Sequence, residues 1–142
     1  MPAPLPIRGL HHIALVSHRL EETLAFYRDV LGFRELSRPP FRFRGAWLYH
    51  GGLQIHLIEG GGAPPPAADA AIDTRAEHLA FSVPELAGVT TILRERGIVY
   101  REQVNAGGIR QVFFRDPDGH HVELAVHGDP AVGHVEVPPA AG

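Results

Sequence analysis

The sequence predicts an α+β fold built from two copies of one β-α-β-β-β module. Segments on either side of the middle of the chain resemble each other at a nearly constant separation of 66 or 67 residues. Each copy also has the pattern of a strand, a helix and three strands, in the same order. The length of 142 residues and the apolar share of 44% suffice for a globular core of ordinary size.

The repeat is supported by pairs of similar residues that keep this separation. Chance similarity among common residues is the competing explanation, but the constant separation favours duplication of one supersecondary unit. The pairs are His12 and His78, Leu20 and Leu86, Gly52 and Gly119, and His56 and Glu123.

Composition shifts suggest the domain boundaries. Residues 60–75 contain a stretch rich in proline, glycine and alanine and are interpreted as a linker. We therefore predict one domain, residues 8–127, made of modules at about 8–59 and 76–127. Residues 128–142 have a similar composition and are predicted to form a tail outside the core.

The first module is predicted to begin with a strand at Leu10–Ser17, whose alternate residues face opposite sides. A helix follows, and Gly32 suits its C-terminal cap. The apolar stripe of this helix consists of Leu20, Leu24, Tyr27 and Leu31. Gly51–Gly52 is expected to be a turn between the last two strands. The three strands are predicted at residues 33–37, 43–49 and 53–59.

The second module is predicted to repeat this order, starting with a strand at His78–Val83. A helix is expected over residues 86–97, because Ser82 and Glu85 have the spacing of a capping box. The turn signal at Asp116–Gly119 separates the last two strands. The three strands are predicted near residues 98–101, 111–115 and 121–126.

The composition and charge exclude several classes of function. The net charge of −3 gives no basis for a nucleic-acid partner. The chain has no cysteine, which excludes disulfides and thiolate metal sites. It has neither a signal-peptide pattern nor an apolar run of membrane-spanning length. We therefore expect a cytoplasmic protein with a small-molecule substrate and no membrane partner.

Ten histidines is a high number for this length, and the repeat selects among them. It pairs His12 with His78 and His56 with Glu123, so each module has one metal-binding type of side chain on its first strand and one on its last. Packing about a pseudo-two-fold axis would bring the four together. We therefore predict one divalent metal ion per chain, either Zn, Ni, Co, Fe or Mn. A strand with one solvated face would give the same pattern at any single histidine. His11 is expected to point away from His12.

A hairpin register predicts which residues lie beside Glu123. If Pro117–Asp118 is a two-residue turn, Val112 pairs with Glu123. Arg110 and Phe114 then share the face of Glu123, because alternate residues of a strand point to the same side.

The same reasoning outlines a substrate pocket. By the repeat, Trp47 lies beside His56, so Trp47 and Phe114 are predicted to form apolar walls. Arg110 is predicted to contact an anionic group of the substrate. Ordinary packing of the aromatic residues and a solvated arginine are the alternative interpretations.

Several segments together resemble the vicinal oxygen chelate superfamily, also called the glyoxalase, bleomycin-resistance and extradiol-dioxygenase group. The resemblance covers roughly residues 8–127. It implies an open, cup-shaped mixed β-sheet around a divalent metal, with ligands from first and last strands, and a homodimer. Two residues depart from the family pattern: His56 stands where Glu or Gln is common, and His120 where Asn is common. The matching segments are Leu10–Leu15, Phe26–Phe33, Ile55–Glu59, Glu77–Phe81 and Phe114–Leu124.

The predicted function is that of a metal-dependent isomerase or lyase. A substrate would bind through two vicinal oxygens, the metal would stabilise an enolate or similar oxyanion, and Glu123 would be the catalytic base. One alternative is an Fe(II) extradiol-type dioxygenase, in which His12, His78 and Glu123 form the facial triad and His56 is a nearby base. The other is a small-molecule binding or resistance protein without catalysis.

Overall fold

The computed structural model describes residues 1–63, 65 and 70–127. The predicted tail, residues 128–142, lies outside the described residues, as does part of the predicted linker. The chain divides into two compact units. The first unit is the N-terminal half of the chain together with four residues of the C-terminal half, Asp116–Gly119. The remainder of the C-terminal half forms the second unit.

The first unit contains a four-stranded mixed sheet and one helix, as the sequence predicts. The strand order is β1-β4-β3-β2, with β1 parallel to β4 and the other neighbours antiparallel. The elements are β1 (Ile13–Ser17), α1 (Leu20–Asp29), β2 (Arg34–Leu36), β3 (Gly45–His50) and β4 (Leu53–Glu59).

Two changes of chain direction in the first unit depend on glycines, one after α1 and one between β3 and β4. The α1 helix ends at Asp29, and Gly32 shortly after it adopts a positive φ of 77°, which lets the amide of Phe33 donate to the carbonyl of Tyr27. The β3–β4 hairpin turns at Gly51–Gly52, where both residues have positive φ. This two-residue turn sets the register that places Trp47 directly opposite His56.

The second unit has the same strand order, β5-β8-β7-β6, with β5 parallel to β8. Ala80 lies opposite Glu123 in this sheet, as Ala14 lies opposite His56 in the first. The predicted α+β fold with two β-α-β-β-β modules is therefore confirmed, and both mixed sheets are open. The elements are β5 (His78–Ser82), α2 (Val89–Glu95), β6 (Tyr100–Val104), β7 (Arg110–Arg115) and β8 (His121–Ala125).

The predicted start of α2 is wrong. The helix begins at Val89, after Gly88 in a left-handed conformation (φ 82°), and no side chain among the described residues caps it. The Ser82 hydroxyl instead donates to the backbone carbonyl of His127 at 2.8 Å. Because the helix begins at Val89, Ser82 and Glu85 do not lie at its N-terminus, and the predicted capping box does not form.

The predicted register of the β7–β8 hairpin is wrong by one residue. Arg115 pairs with His121 and Phe113 pairs with Glu123, so the connection is longer than the predicted two-residue turn. The amide of Gly119 donates to the carbonyl of Asp116, which closes the turn, and Gly119 itself has a left-handed conformation (φ 89°). A left-handed glycine after a turn adds one residue to a hairpin loop, which moves every β7 side chain to the other face.

Within the first unit, Asp118 of the Asp116–Gly119 segment binds the amides of His18 and Arg19 just before α1, a contact termed the Asp118 cap, while the side chain of the N-cap residue Arg19 makes no capping hydrogen bond. The Asp118 carboxylate accepts hydrogen bonds from the hydroxyls of Ser17 (2.5 Å) and Thr23 (2.6 Å) and from the amides of His18 (2.7 Å) and Arg19 (2.9 Å). Burial acts to raise the pKa of Asp118, but these hydrogen bonds outweigh it and lower the pKa below its ordinary value. A carboxylate at a helix N-terminus also interacts favourably with the helix dipole.

A second aspartate of this segment contacts the same helix. The hydroxyl of Tyr27, a fully buried residue, donates to Asp116 at 2.8 Å. Burial and the nearby Asp116 charge raise the pKa of Tyr27 well above its ordinary value.

None of the helices in the described parts of the chain is both long and apolar enough to cross a bilayer.

Candidate functional site

His78 and Glu123 form a close pair on neighbouring strands of the second unit. Nε2 of His78 lies 3.1 Å from Oε2 of Glu123, and only 3% of Glu123 is exposed. Nδ1 of His78 lies 2.7 Å from the carbonyl of Ala76. Because a carbonyl only accepts, Nδ1 carries a proton, and Nε2 is the ring atom that faces Glu123. Nε2 and Oε2 attract each other when a cation, either a proton on Nε2 or a metal ion, lies between them.

The other carboxylate oxygen of Glu123 is held by an amide. Nε2 of Gln111 donates to Oε1 of Glu123 at 2.5 Å, and Nε2 of Gln103 donates to Oε1 of Gln111 at 2.8 Å. The sequence reasoning missed Gln111 because the incorrect hairpin register placed it on the opposite face from Glu123. A polar residue directly before the buried run Val112–Phe114 was the signal that could have found it.

His127 also lies beside Glu123. Its Nε2 is buried without a hydrogen-bond partner among the described residues and is 3.7 Å from Oε1 of Glu123. His121 shares the face of Glu123, and its Nε2 accepts from the amide of Asp73 at 3.2 Å. Burial, followed by the charge of Arg115, lowers the pKa of His121, which favours the neutral acceptor form.

His12 and His56 form the corresponding pair in the first unit. Their rings stack with centroids 3.9 Å apart, although His12 immediately precedes β1 and lies outside it. His56 is buried, and its Nε2 donates to Oε1 of Gln54 at 3.1 Å. Burial, followed by the positive charge of protonated His12, lowers the pKa of His56. The neutral ring is the form that binds a metal.

Aromatic rings extend this pair. Trp47 stacks on His56 with centroids 4.3 Å apart, so the predicted position of Trp47 beside His56 is confirmed. His11 does not point away from His12 as expected, since their Nδ1 atoms lie 2.9 Å apart. The backbone before β1 does not follow the strand alternation on which that expectation depended.

The structure separates the other two predicted pocket residues from Glu123. With Phe113 opposite Glu123, Arg110 and Phe114 lie on the opposite face of the sheet. Phe114 is fully buried, and Arg110 is 3.8 Å from the carboxylate of the exposed Glu102. The argument that placed them beside Glu123 is therefore wrong, and their contact with a substrate stays a prediction without geometric support.

The donor chemistry of both pairs fits a divalent metal ion. Neutral imidazole and carboxylate are ligands for Zn, Ni, Co, Fe and Mn. The hydrogen bond from Nδ1 of His78 to a carbonyl is the arrangement that orients a metal-binding histidine. In the described part of the chain, no group of three or more histidine, aspartate or glutamate side chains is arranged to hold an ion. Each unit therefore supplies a pair and not a complete ligand set.

Two curated relatives resemble the chain at the sequence level. Glyoxylase I 4 from Arabidopsis thaliana is 38% identical over an alignment of 128 positions that covers 85% of this chain and 72% of the relative. Biphenyl-2,3-diol 1,2-dioxygenase 3 from Rhodococcus globerulus is 31% identical over an alignment of 123 positions that covers 82% of this chain. The match spans only 62% of that dioxygenase.

A solved structure and a family model agree with these relatives. A mutant of the fosfomycin resistance protein FosX from Listeria monocytogenes, in complex with Mn(II) and dihydroxypropylphosphonic acid, matches with a TM-score of 0.69 and 25% identity. The match covers 86% of this chain and 94% of FosX. The model of the glyoxalase/bleomycin resistance protein/dioxygenase superfamily matches residues 9–124. The chain therefore belongs to this superfamily.

Proposed function

We propose that the chain is a divalent-metal-dependent enzyme of the isomerase or lyase type, with His12, His56, His78 and Glu123 as ligands of one ion per chain. The observation that carries the proposal is the 3.1 Å approach of Nε2 of His78 to Oε2 of the buried Glu123, with Nδ1 of His78 held by the carbonyl of Ala76. A buried carboxylate is costly unless it shares a cation with a neighbouring group, and a divalent ion would be such a cation.

The proposed chemistry divides between the ion and the side chains. A bound ion would supply Lewis acidity toward two neighbouring oxygens of a substrate. On leaving the ion, Glu123 would accept a proton at Oε2 from a carbon acid, and its near-complete burial would exclude water from that transfer. Trp47, stacked on His56, would present an apolar face to the substrate. The resemblance to Glyoxylase I 4 supports this class of reaction.

Metal uptake and turnover test the proposal separately. Protein purified without a histidine tag and stripped of metal should take up about one divalent ion per chain in calorimetric titration. The loaded protein should then turn over one substrate in a panel of 2-oxoaldehyde thiol adducts and epoxides. Absence of uptake by properly folded, chelator-free protein would overturn the metal site.

A second candidate function is an Fe(II) extradiol-type dioxygenase, with His12, His78 and Glu123 as ligands and His56 as a base. The lowered pKa of His56 favours it, because a neutral imidazole at physiological pH can accept a proton. Similarity to a biphenyl-diol dioxygenase points the same way. Oxygen consumption with a catechol, dependent on Fe(II), would select this function over the first.

A small-molecule binding or resistance protein without catalysis is the remaining alternative; similarity to FosX supports a role in resistance, with or without catalysis. Such a protein would bind a drug stoichiometrically and return it unchanged. Mass spectrometry of the bound compound after incubation would separate it from either enzyme.

We also propose that the chain forms a homodimer. Edge strands attract pairing partners, and β6 is an edge strand whose Val104 side chain is exposed. Symmetric association is the common way to cover such surface. Light scattering at micromolar concentration should give twice the chain mass of 15.5 kDa, and a monomer would contradict the proposal.

A further inference from the structure

The amide chain Gln103–Gln111–Glu123 links neighbouring strands of the second unit in a defined direction. Gln103 and Gln111 are direct cross-strand partners on β6 and β7. Gln103 donates to the amide oxygen of Gln111, so the amide nitrogen of Gln111 must point elsewhere. That nitrogen lies 2.5 Å from Oε1 of Glu123. The direction of the second hydrogen bond is thus set by the first.

We propose that Gln111 is a positioning residue that fixes the Glu123 carboxylate, so that Oε1 is engaged by an amide and Oε2 is the oxygen presented to the metal. The inference rests on the proposed metal site. His78 faces Oε2 and not Oε1, which agrees with this division. Glu123 would then be a one-oxygen ligand whose second oxygen is retained by the protein.

The chemistry of the amide matters as much as its position. A primary amide donates a hydrogen bond but does not lose a proton at physiological pH. Gln111 can therefore hold Oε1 in place without competing for the proton that Glu123 is proposed to accept. A histidine in the same place would exchange protons with Glu123. Nε2 of His127 is 3.7 Å from Oε1, which is beyond hydrogen-bonding distance.

The first test uses metal-free protein and the side-chain amide resonances of Gln111. In the wild type, its Nε2 protons should resonate downfield because a carboxylate accepts one of them. Glu123→Gln, which keeps the shape but removes the charge, should move this resonance upfield. Glu102→Gln is the matched control, since residue 102 is next to Gln103 but points to the opposite face. An unchanged Gln111 resonance in Glu123→Gln would overturn the inference.

The second test measures Co²⁺ affinity by calorimetry and the visible absorption of the bound Co²⁺. Gln111→Leu should weaken binding by about 10–100-fold, the usual effect of losing a partner of a metal ligand. Its Co²⁺ spectrum should also change, because a released carboxylate can bind through both oxygens. Gln103→Leu should have a smaller effect in the same direction, and Glu102→Gln should match the wild type. Thermal unfolding of each variant checks that it is folded.

The outcomes separate the inference from the function on which it rests. If the wild type does not bind Co²⁺, the proposed metal site fails, and the amide resonance alone decides whether Gln111 positions Glu123. If the wild type binds Co²⁺ and Gln111→Leu binds it with the same affinity and spectrum, the inference fails and the metal site stands.

Discussion

The two units have one strand order but support their histidines by different interactions. In the second unit, hydrogen bonds hold both His78 and Glu123, and each bond has a fixed direction. In the first unit, stacking on aromatic rings is the main support for His56, and His12 lies outside the strand. Hydrogen bonds fix an atom's position more strictly than stacking does. Duplication has thus preserved the backbone while the support of the site residues diverged.

The helices of the two units also differ, in their length and in the groups at their N-termini. The α1 helix has ten residues and receives the carboxylate of Asp118 at its N-terminus. The α2 helix has seven residues and starts after a left-handed Gly88. The helix with the Asp118 carboxylate at its N-terminus belongs to the first unit, whose proposed metal-binding pair is held less strictly than that of the second. Helix capping and ligand positioning therefore do not follow each other in this fold.

The largest expected effect is that of Glu123→Gln in the second unit. The variant should keep its fold and some metal, because an amide oxygen still coordinates. Turnover should fall by about 10²–10⁴-fold, because the proposed base of the isomerase or lyase reaction is lost. Activity and metal content are measured on the same preparation. Activity near that of the wild type would assign the base to another residue and weaken the contrast between the units.

Removal of a histidine ligand from either unit should release the metal itself. We expect His12→Ala and His78→Ala to lose measurable uptake under conditions in which the wild type binds about one ion per chain. Elemental analysis after dialysis measures this. If His12→Ala retained the wild-type metal content while His78→Ala lost it, the ligand set would belong to the second unit alone.

Asp118→Asn tests the cap of the first unit. It should lower the free energy of unfolding by about 2–3 kcal/mol, because an amide cannot accept all the donors that the buried carboxylate accepts. The folded-state pKa of Asp118 is below its ordinary value, so the stabilisation is present above the unfolded pKa and is lost as pH falls through the folded value.

Chemical unfolding at neutral pH and at about pH 2 measures this cap. The difference between wild type and Asp118→Asn should shrink at the lower pH. Asp73→Asn is a suitable control, because Asp73 is exposed and contacts a backbone amide in a loop. A difference that does not depend on pH would contradict the charged cap.

The smallest expected effects concern the aromatic stack of the first unit. His56→Gln should weaken metal binding by only about tenfold, because the amide oxygen still coordinates. Trp47→Leu should lower stability by about 1 kcal/mol, the size of one aromatic pair. Calorimetry and thermal unfolding measure the two effects. If His56→Gln lost the metal as completely as His78→Ala, the two units would constrain their ligands equally.

The sequence predicted the fold well because the repeat is carried by residues whose periodicity is local. The β5 strand, the α1 helix and the Gly51–Gly52 turn each depend on neighbours within a few positions, and they were confirmed. The position of Trp47 beside His56 was predicted from the repeat, and the register of the β3–β4 hairpin confirms it. The β1 strand begins at Ile13, three residues after its predicted start.

The errors arose where one glycine or a distant residue decides the geometry. The left-handed conformation of Gly119 gives β7 a register that differs by one residue from the predicted one. Gln111 therefore lies on the face of Glu123, where Arg110 and Phe114 were predicted. The cap of α1 comes from Asp118, about a hundred residues away, and no local pattern contains it. The Ser82 hydroxyl donates to the backbone carbonyl of His127, which is distant in the sequence, and does not take part in a capping box with Glu85.

The assignment of Asp116–Gly119 to the first unit has a consequence for protein synthesis. When the ribosome has made the N-terminal half, the polar groups at the start of α1 have no carboxylate to receive them. Asp118 is translated about fifty residues later, a delay of several seconds at ~5–20 residues per second. Until then, water binds these polar groups in place of the Asp118 carboxylate, and the first turn of the helix can fray and be bound by chaperones. Completion of the first unit is thus coupled to the emergence of the second.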